Sequence, residues 1–508
     1  MKKKYIIIVS IFVLAFGIWA TARGQNIRQW INTFNQVLMV VRGNYVQEID
    51  SNELIEAAIR GMLSNLDPYS TYLTEREYRE LGIRTSGEYG GLGFSVSKVK
   101  NVITVISPFE GTPAYRAGIQ PGDKIIKIDN FPTKGMELDE AVDKMRGTPG
   151  TKVILSIGRE GIEKPIDFHL TRAEIKIENV TYYGIIEPDI GYLRLSGFSQ
   201  NAGKEVSEAL DSLLAKGTNK FIIDLRMNPG GLLQQAVEVA DNFFSRGKTI
   251  VSTKGRTRST NRDFYATTDS KTGKAPIIIL VDGGSASASE IVAGAIQDWE
   301  QGLIVGDTTF GKGSVQTLVK LDRSLESGAL KLTTAMYYTP SGRCINHSDT
   351  LVYLLKNPTS GKDFRTLGTL KRKLVSCGSI IPDTVLKSGK PLPYFLANAA
   401  QEGVFIQYTS KYVREHPNLV PGFEVDTRIL EDFKSFMQDK KIKFNDADFD
   451  SATQKISETL KIMIAETKWG TEGKYEVILA QDPWIKESIK LISEANSIQE
   501  LLKIASIK

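Results

Sequence analysis

The strongest constraint on this chain is a unit that occurs twice: a short apolar run, a glycine-rich turn and then a helical pattern. Residues 221–225 read as a buried strand ending in Arg226-Met227-Asn228-Pro229-Gly230-Gly231, after which 232–244 has helical periodicity. Residues 276–282 are a second such strand, followed by Gly283-Gly284-Ser285-Ala286-Ser287-Ala288-Ser289-Glu290 and a helix to about Trp299. Strand, turn and helix in that order predict an α/β core from about Glu174 onward. Leu303–Gly306 and Ala329–Tyr338 read as further strands, and Ile381-Pro382-Asp383 closes the unit. At 508 residues the chain is too long for one core and should be modular. An apolar fraction of 41% and a charged fraction of 24% argue against wholesale disorder and against a polytopic membrane protein. A net charge of +5 with no dense basic patch disfavours nucleic-acid binding.

The N-terminus carries an address. Met1-Lys2-Lys3-Lys4 precedes an uncharged stretch, 5–22, that ends in Ala20-Thr21-Ala22, a small-x-small cleavage pattern. Cleavage as a signal peptide and retention as an inner-membrane anchor are both open for 1–25. Either places the rest outside the cytoplasm, in a periplasm or cell envelope. Cys344 and Cys377 are the only cysteines. They are either a disulfide or two free thiols, and neither sits in a metal-binding pattern, so no metal or cofactor is expected.

Four further segments follow. Residues 26–84 read as helical, with Leu54, Ile55, Ala58, Ile59, Met62 and Leu63 on one buried face. This arm packs either on its own chain or on a second copy, which leaves a homodimer open. Residues 85–173 alternate strand-like runs with Gly/Pro turns around one amphipathic helix marked by Leu138, Ala141, Val142 and Met145. Its Gly90-Gly91-Leu92-Gly93-Phe94 opening and Ala117-Gly118-Ile119-Gln120-Pro121-Gly122-Asp123 turn resemble a PDZ domain. Glycines there let successive N–H groups converge into a nest for a chain-terminal carboxylate, formed by Gly91, Leu92, Gly93 and Phe94, while the peptide adds as a strand. Arg146 is a candidate reporter of peptide binding to the catalytic unit. Residues 174–394 form the α/β unit, with a polar insertion at about 345–377. Residues 395–508 are helical and charged, with no chemical motif and no assignable function.

Serine at the start of a helix directly after a buried strand is nucleophile geometry, and the helix N-terminus supplies donors for an oxyanion. Ser285, Ser287 and Ser289 compete for the part, and position alone does not choose. Thr308-Thr309-Phe310-Gly311-Lys312-Gly313-Ser314 holds a lysine among glycines, with Gln316 four residues on. Desolvation there would lower the lysine pKa enough for it to act as a base. His169, His347 and His416 are the only histidines, and none lies beside a candidate nucleophile, so Ser/Lys is favoured over a histidine triad.

Three segments together, 284–290, 309–316 and 224–231, resemble in order and spacing the signatures of the C-terminal processing (tail-specific) peptidases. The likeness extends over about 26–383, including the PDZ unit. It implies an α/β, crotonase/Clp-like protease core with β-rich elements, plus a PDZ domain and helical terminal segments. It also implies Ser287 as nucleophile, Lys312 as general base and Gln316 as the residue orienting it. Gly230, or else Gly231, and the backbone of Ala288 become oxyanion donors, with Glu290 and Thr309 in support. Asp298 matches a family position but lies about 16 Å along the helix from Ser287, which makes it structural. The implied activity is serine endopeptidase cleavage of envelope proteins with apolar C-termini, and an adaptor protein stays open as a partner. The alternative is a catalytically inactive PDZ scaffold. A P-loop reading of 306–312 fails because Gly313 stands where magnesium needs Ser or Thr. Ser95-Val96-Ser97-Lys98 imitates a penicillin-binding motif but lies on a strand.

Overall fold

The structure is a computed structural model that describes residues 27–324, 328–346, 363–375, 378–387 and 392–507. The N-terminal apolar stretch, Cys377, His347 and most of the insertion lie outside the described residues. Among those described, no helix is long and apolar enough to cross a membrane. The chain divides into two compact units, one of residues up to Tyr78 with Gln316–Thr333, the other of Arg79–Val315 with Thr334 onward.

The first unit is not helical throughout. After helix Ser51–Ser64, the Asp67 carboxylate accepts from the N–H of Tyr69 (2.8 Å), the N–H of Ser70 (2.9 Å) and the Ser70 hydroxyl (2.6 Å). These side-chain bonds compete with helix continuation. Strand Thr71–Leu73 follows, antiparallel to residues 329–331. Of the expected buried face only Leu63 is buried, and Ile55 and Met62 are exposed. Amphipathic spacing identifies which residues share a face, not what covers it.

In the second unit the α/β core is one sheet ordered Val180–Glu187, Ile190–Leu195, Lys220–Asp224, Ile277–Val281, Leu303–Gly306 and Thr384–Val385. The first pair is antiparallel and the rest are parallel. The three middle strands are buried along their whole length because helices cover both faces. Phe221, Ile223, Ile277, Ile279 and Ile304 point into one core with helices Ala202–Ala215, Leu233–Asp241 and Ala288–Asp298. The alternate residues Ile222, Ile278, Leu280, Leu303 and Val305 pack on the other side against Ile485, Leu491, Ile492, Leu501 and Leu502. The C-terminal helices Pro483–Ser493 and Ile498–Ile507 are therefore the second face of the peptidase sheet.

The β-rich unit is an antiparallel sheet of Phe94–Val99, Val102–Pro108, Lys124–Ile128, Lys152–Gly158 and Ile166–Thr171. Helix Leu138–Met145 contributes Ala141 and Met145 to its core. At its two ends Glu88–Gly91 pairs with Ala173–Lys176, so both connections leave through one two-stranded stalk. Helices Tyr394–Gln401, Val404–Glu415, Thr427–Asp439 and the first part of Asp446–Gln481 enclose a separate core around Phe405, Phe433 and Leu460. This bundle meets the β-rich unit where the Ser410 hydroxyl donates to the Pro121 carbonyl at 3.0 Å. At Gly470, φ 67° and ψ −152° break the long helix and redirect the chain toward the sheet.

Candidate active site

The turn after strand Ile277–Val281 separates the three serines. Ser285 is fully buried and its hydroxyl donates to the Leu225 carbonyl at 2.8 Å. Ser289 is fully buried and donates to the Asn228 carbonyl at 2.9 Å. Both hydroxyls thus stitch the turn to the neighbouring 225–231 loop. Ser287, between them, is half-buried and has φ 57° and ψ −111°. A non-glycine residue held there is strained and persists only where its surroundings dictate it.

The 225–231 loop comes against Ser287 from the next strand. A Cβ on Gly230 (φ 92°) would lie 2.6 Å from the Ala286 carbonyl oxygen, 2.8 Å from the Ala288 nitrogen and 2.8 Å from Ser287 Cβ. Only glycine permits that approach. The Gly230 N–H donates to Asn228 Oδ1 at 2.9 Å. In this arrangement it is spent on a side chain and is not aimed at a developing oxyanion, which departs from the expectation for Gly230. The Ala288 N–H belongs to the first turn of helix Ala288–Asp298, where donors lack intrahelical partners. Asn228, to which sequence reasoning gave no role, is fully buried; besides Gly230 it bonds the Leu195 carbonyl (2.8 Å), and its own carbonyl accepts from Ala286 (3.0 Å). Its only sequence signal is its place in the Asn-Pro-Gly-Gly turn.

Glu290 joins this turn to the lysine loop. Its buried carboxylate accepts from the N–H groups of Ser287 (2.8 Å) and Lys312 (2.9 Å) on Oε2. On Oε1 it accepts from the Thr309 hydroxyl (2.6 Å) and the Gly311 N–H (2.7 Å). Burial pushes the Glu290 carboxyl up, outweighing those four donors. Thr309 in turn accepts from the Ile380 N–H at 2.9 Å, tying the loop to the chain after the insertion. The Lys312 carbonyl accepts from the Tyr337 hydroxyl, and a Cβ on Gly313 would lie 1.7 Å from the Ile345 carbonyl oxygen. The Lys312 backbone is therefore clamped on both sides, with the residue half-buried.

Beneath the 225–231 loop, Asp224 is buried between Arg194 (2.6 Å) and Arg226 (2.6 Å) and accepts from the Tyr192 hydroxyl at 2.8 Å. Burial pushes its carboxyl up, but the two guanidinium groups prevail and hold it below the usual aspartate value.

A family model described as peptidase family S41 matches residues 189–351, and a PDZ domain model matches 81–158. The N-terminal domain of the activating protease CtpB matches 20–77, and a family of unknown function matches 395–470. A carboxy-terminal-processing protease of Bartonella bacilliformis is 46% identical over 340 residues, which cover 66% of this chain and 77% of that one. The chain belongs to peptidase family S41. It is 40% identical over 316 residues to a carboxyl-terminal-processing protease of Synechocystis, covering 61% of this chain and 73% of that one. The solved photosystem II D1 C-terminal processing protease is 27% identical, covers 70% of this chain and 92% of that one, and has a TM-score of 0.38. The chain is thus a serine-type protease of the carboxy-terminal processing group, with a PDZ domain.

Within this S41 peptidase, the PDZ loop spends its carbonyls internally. Leu92 accepts from Ala114 (3.0 Å), and Gly93 accepts from Phe109 (2.8 Å) and the Thr112 hydroxyl (2.9 Å). Gly93 has φ 80°, and a Cβ there would strike Thr112 at 2.3 Å. Leu92 is buried in the PDZ core, while Gly91 ends the stalk strand and Phe94 begins the next one. Arg146 pairs with Glu80 and lies over the Tyr89 ring, 5.0 Å from its centroid. Asp298 is fully buried, paired with Arg343 and accepting from the Ser341 N–H at 2.7 Å, so it anchors the strand end before the insertion. Gln316 belongs to the first unit, where its amide donates to Thr333 Oγ1 at 3.3 Å; Thr333 donates to Asp67 at 3.1 Å. Cys344 is half-buried and its thiol is pushed up to about 11 by burial. Its pairing with Cys377 lies outside the described residues.

Proposed function

We propose that this peptidase cleaves exported proteins bearing apolar C-terminal tails, with Ser287 as nucleophile and Lys312 as general base. The observation that carries the reading is the shared acceptor. Glu290 Oε2 receives the backbone N–H of both Ser287 and Lys312 (2.8 and 2.9 Å), so one atom sets the separation of the two residues. The strained backbone of Ser287 and the structural employment of Ser285 and Ser289 support the choice among the three serines.

In the reaction, Ser287 Oγ attacks the scissile carbonyl carbon while its proton passes to the neutral Lys312 amine. The tetrahedral intermediate collapses when the Lys312 ammonium protonates the departing amine, leaving a Ser287 ester. Water, deprotonated by Lys312, attacks the ester, and the proton returns to Ser287 as the acid product leaves. With the Gly230 N–H bonded to Asn228 Oδ1, oxyanion stabilisation falls to the Ala288 N–H and to Gly231, the alternative to Gly230. The PDZ loop receives the carboxylate of the tail on N–H groups of the Gly91–Phe94 stretch. The lysine-flanked apolar stretch at 5–22 supports export and placement in the envelope.

The test compares wild type, Ser287→Ala and Lys312→Ala, from about Gln25 onward, on an unfolded protein with an apolar C-terminus, free or amidated. Activity confined to wild type and reduced by amidation is the expected result. A Ser287→Ala protein that cleaves normally refutes the nucleophile. Tail binding without cleavage by any of the three would favour the inactive scaffold.

A further inference from the structure

The C-terminal helices reach the 226–231 loop and the end of the strand that leads to Lys312. Arg226 opens the 226–231 loop, and its guanidinium contacts Asp224 through Nε (3.0 and 3.1 Å) and Nη2 (2.6 Å). Its Nη1 donates to Asp482 Oδ2 at 2.7 Å, and its carbon lies 5.5 Å from the Trp484 ring centroid. Asp482 is itself fixed as the N-cap of helix Pro483–Ser493, its Oδ1 accepting from the N–H of Trp484 (2.8 Å) and of Ile485 (3.2 Å). One carboxylate oxygen thus starts the helix and the other holds the loop. The same corner meets the strand that leads to the lysine loop: a Cβ on Gly306, at the end of strand Leu303–Gly306, would lie 3.0 Å from the Trp484 ring. Behind the corner, Ile485, Leu491 and Ile492 are buried against the sheet, so Asp482 and Trp484 stand on a rigid base. Both residues lie beyond every stretch matched by a family model.

We infer that Asp482 and Trp484 are positioning residues of the peptidase reaction, acting through Arg226 to fix the 226–231 loop against Ser287. The C-terminal helices are then part of the catalytic unit and not an appendage. A loop that carries an oxyanion donor at Gly231 and packs Gly230 against Ser287 must be held to a fraction of an ångström, because the donor acts only if it is in place before charge develops. A half-buried guanidinium tied to two carboxylates from different elements and lying over an indole supplies that rigidity. The inference rests on the Ser287/Lys312 reading, and the experiment separates the two.

Full-length wild type, Asp482→Asn and Ser287→Ala are compared for kcat, KM and inhibition by a peptide aldehyde. The aldehyde's adduct with the serine places a negative oxygen where the intermediate's would be. Asparagine keeps the capping acceptor and the size of Asp482 but gives Arg226 no charge. The expected result for Asp482→Asn is a kcat lower by about ten- to a hundredfold, KM unchanged, and aldehyde affinity weakened by the same factor. A purely structural role would lower the active fraction without changing the aldehyde constant, and that outcome overturns the inference, as does wild-type kcat. Should Asp482→Asn fail to fold, Trp484→Leu decides by the same paired readout. If Ser287→Ala keeps wild-type activity, the underlying reading fails instead, whatever Asp482→Asn does.

Discussion

Glu290 accepts four hydrogen bonds on a side chain that water does not reach, two on each oxygen. A carboxylate is the only side chain of that length with acceptors on both arms. Glutamine would turn an NH2 toward two donors and leave them unpaired, at a cost of about 1–3 kcal/mol each. Glu290→Gln should therefore cut peptidase activity by at least about tenfold, because either the Ser287 and Lys312 backbones or Thr309 and Gly311 in the lysine loop lose their acceptor, and should lower the thermal midpoint by several degrees. A steady-state assay beside a melting curve checks both, and a fully active, equally stable variant would remove Glu290 from the account. Sequence reasoning placed Glu290 near the site but could not rank it, since a glutamate at the third helical position also serves as an ordinary cap. The choice among Ser285, Ser287 and Ser289 was likewise open in the sequence. Which hydroxyls bond the 225–231 loop depends on a strand about sixty residues upstream in the chain.

Strand Lys220–Asp224 ends in a buried carboxylate whose partners, Arg194 on the adjacent strand and Arg226 in the following loop, hold its folded-state pKa below the ordinary 3.8. A depressed carboxyl stabilises the folded protein above its unfolded-state value, and that contribution is lost as pH falls through the lower folded-state value. The difference in thermal midpoint between wild type and Asp224→Asn should thus be at its full size near neutral pH and shrink below about pH 4. A gap that stays constant down to pH 2 would mean that the cluster's charge does not stabilise the strand end. The strand itself was visible as an apolar run. The cluster was not, because Arg194 and Asp482 are distant in sequence and charged residues ordinarily read as solvated surface.

The helices after Gln481 pack on one face of the peptidase sheet, so their removal would expose Ile222, Ile278, Leu280, Leu303 and Val305 together. At roughly 1.5–3 kcal/mol for each fully buried aliphatic side chain, the loss is on the order of 10 kcal/mol, comparable to the stability of a whole domain. A chain ending at Gln481 is expected to be insoluble or to bind a hydrophobic dye. A soluble, monomeric and active truncation in size-exclusion chromatography would show that the tail is dispensable. Taken by itself, the sequence determined the α/β class, the PDZ-like unit, the family and the three segments where chemistry gathers. Each of these is written in local spacing: apolar runs of strand length, glycines where side chains cannot fit, and motifs a few residues long. The tertiary structure alone decided that the motif-free tail packs on the sheet, that Asp482 reaches Arg226, that Asn228 takes the Gly230 N–H and that, among the described residues, only Leu63 of the face predicted buried on Ser51–Ser64 is buried. These are contacts between segments far apart in the chain, and periodicity marks a face as apolar without naming the surface that will cover it.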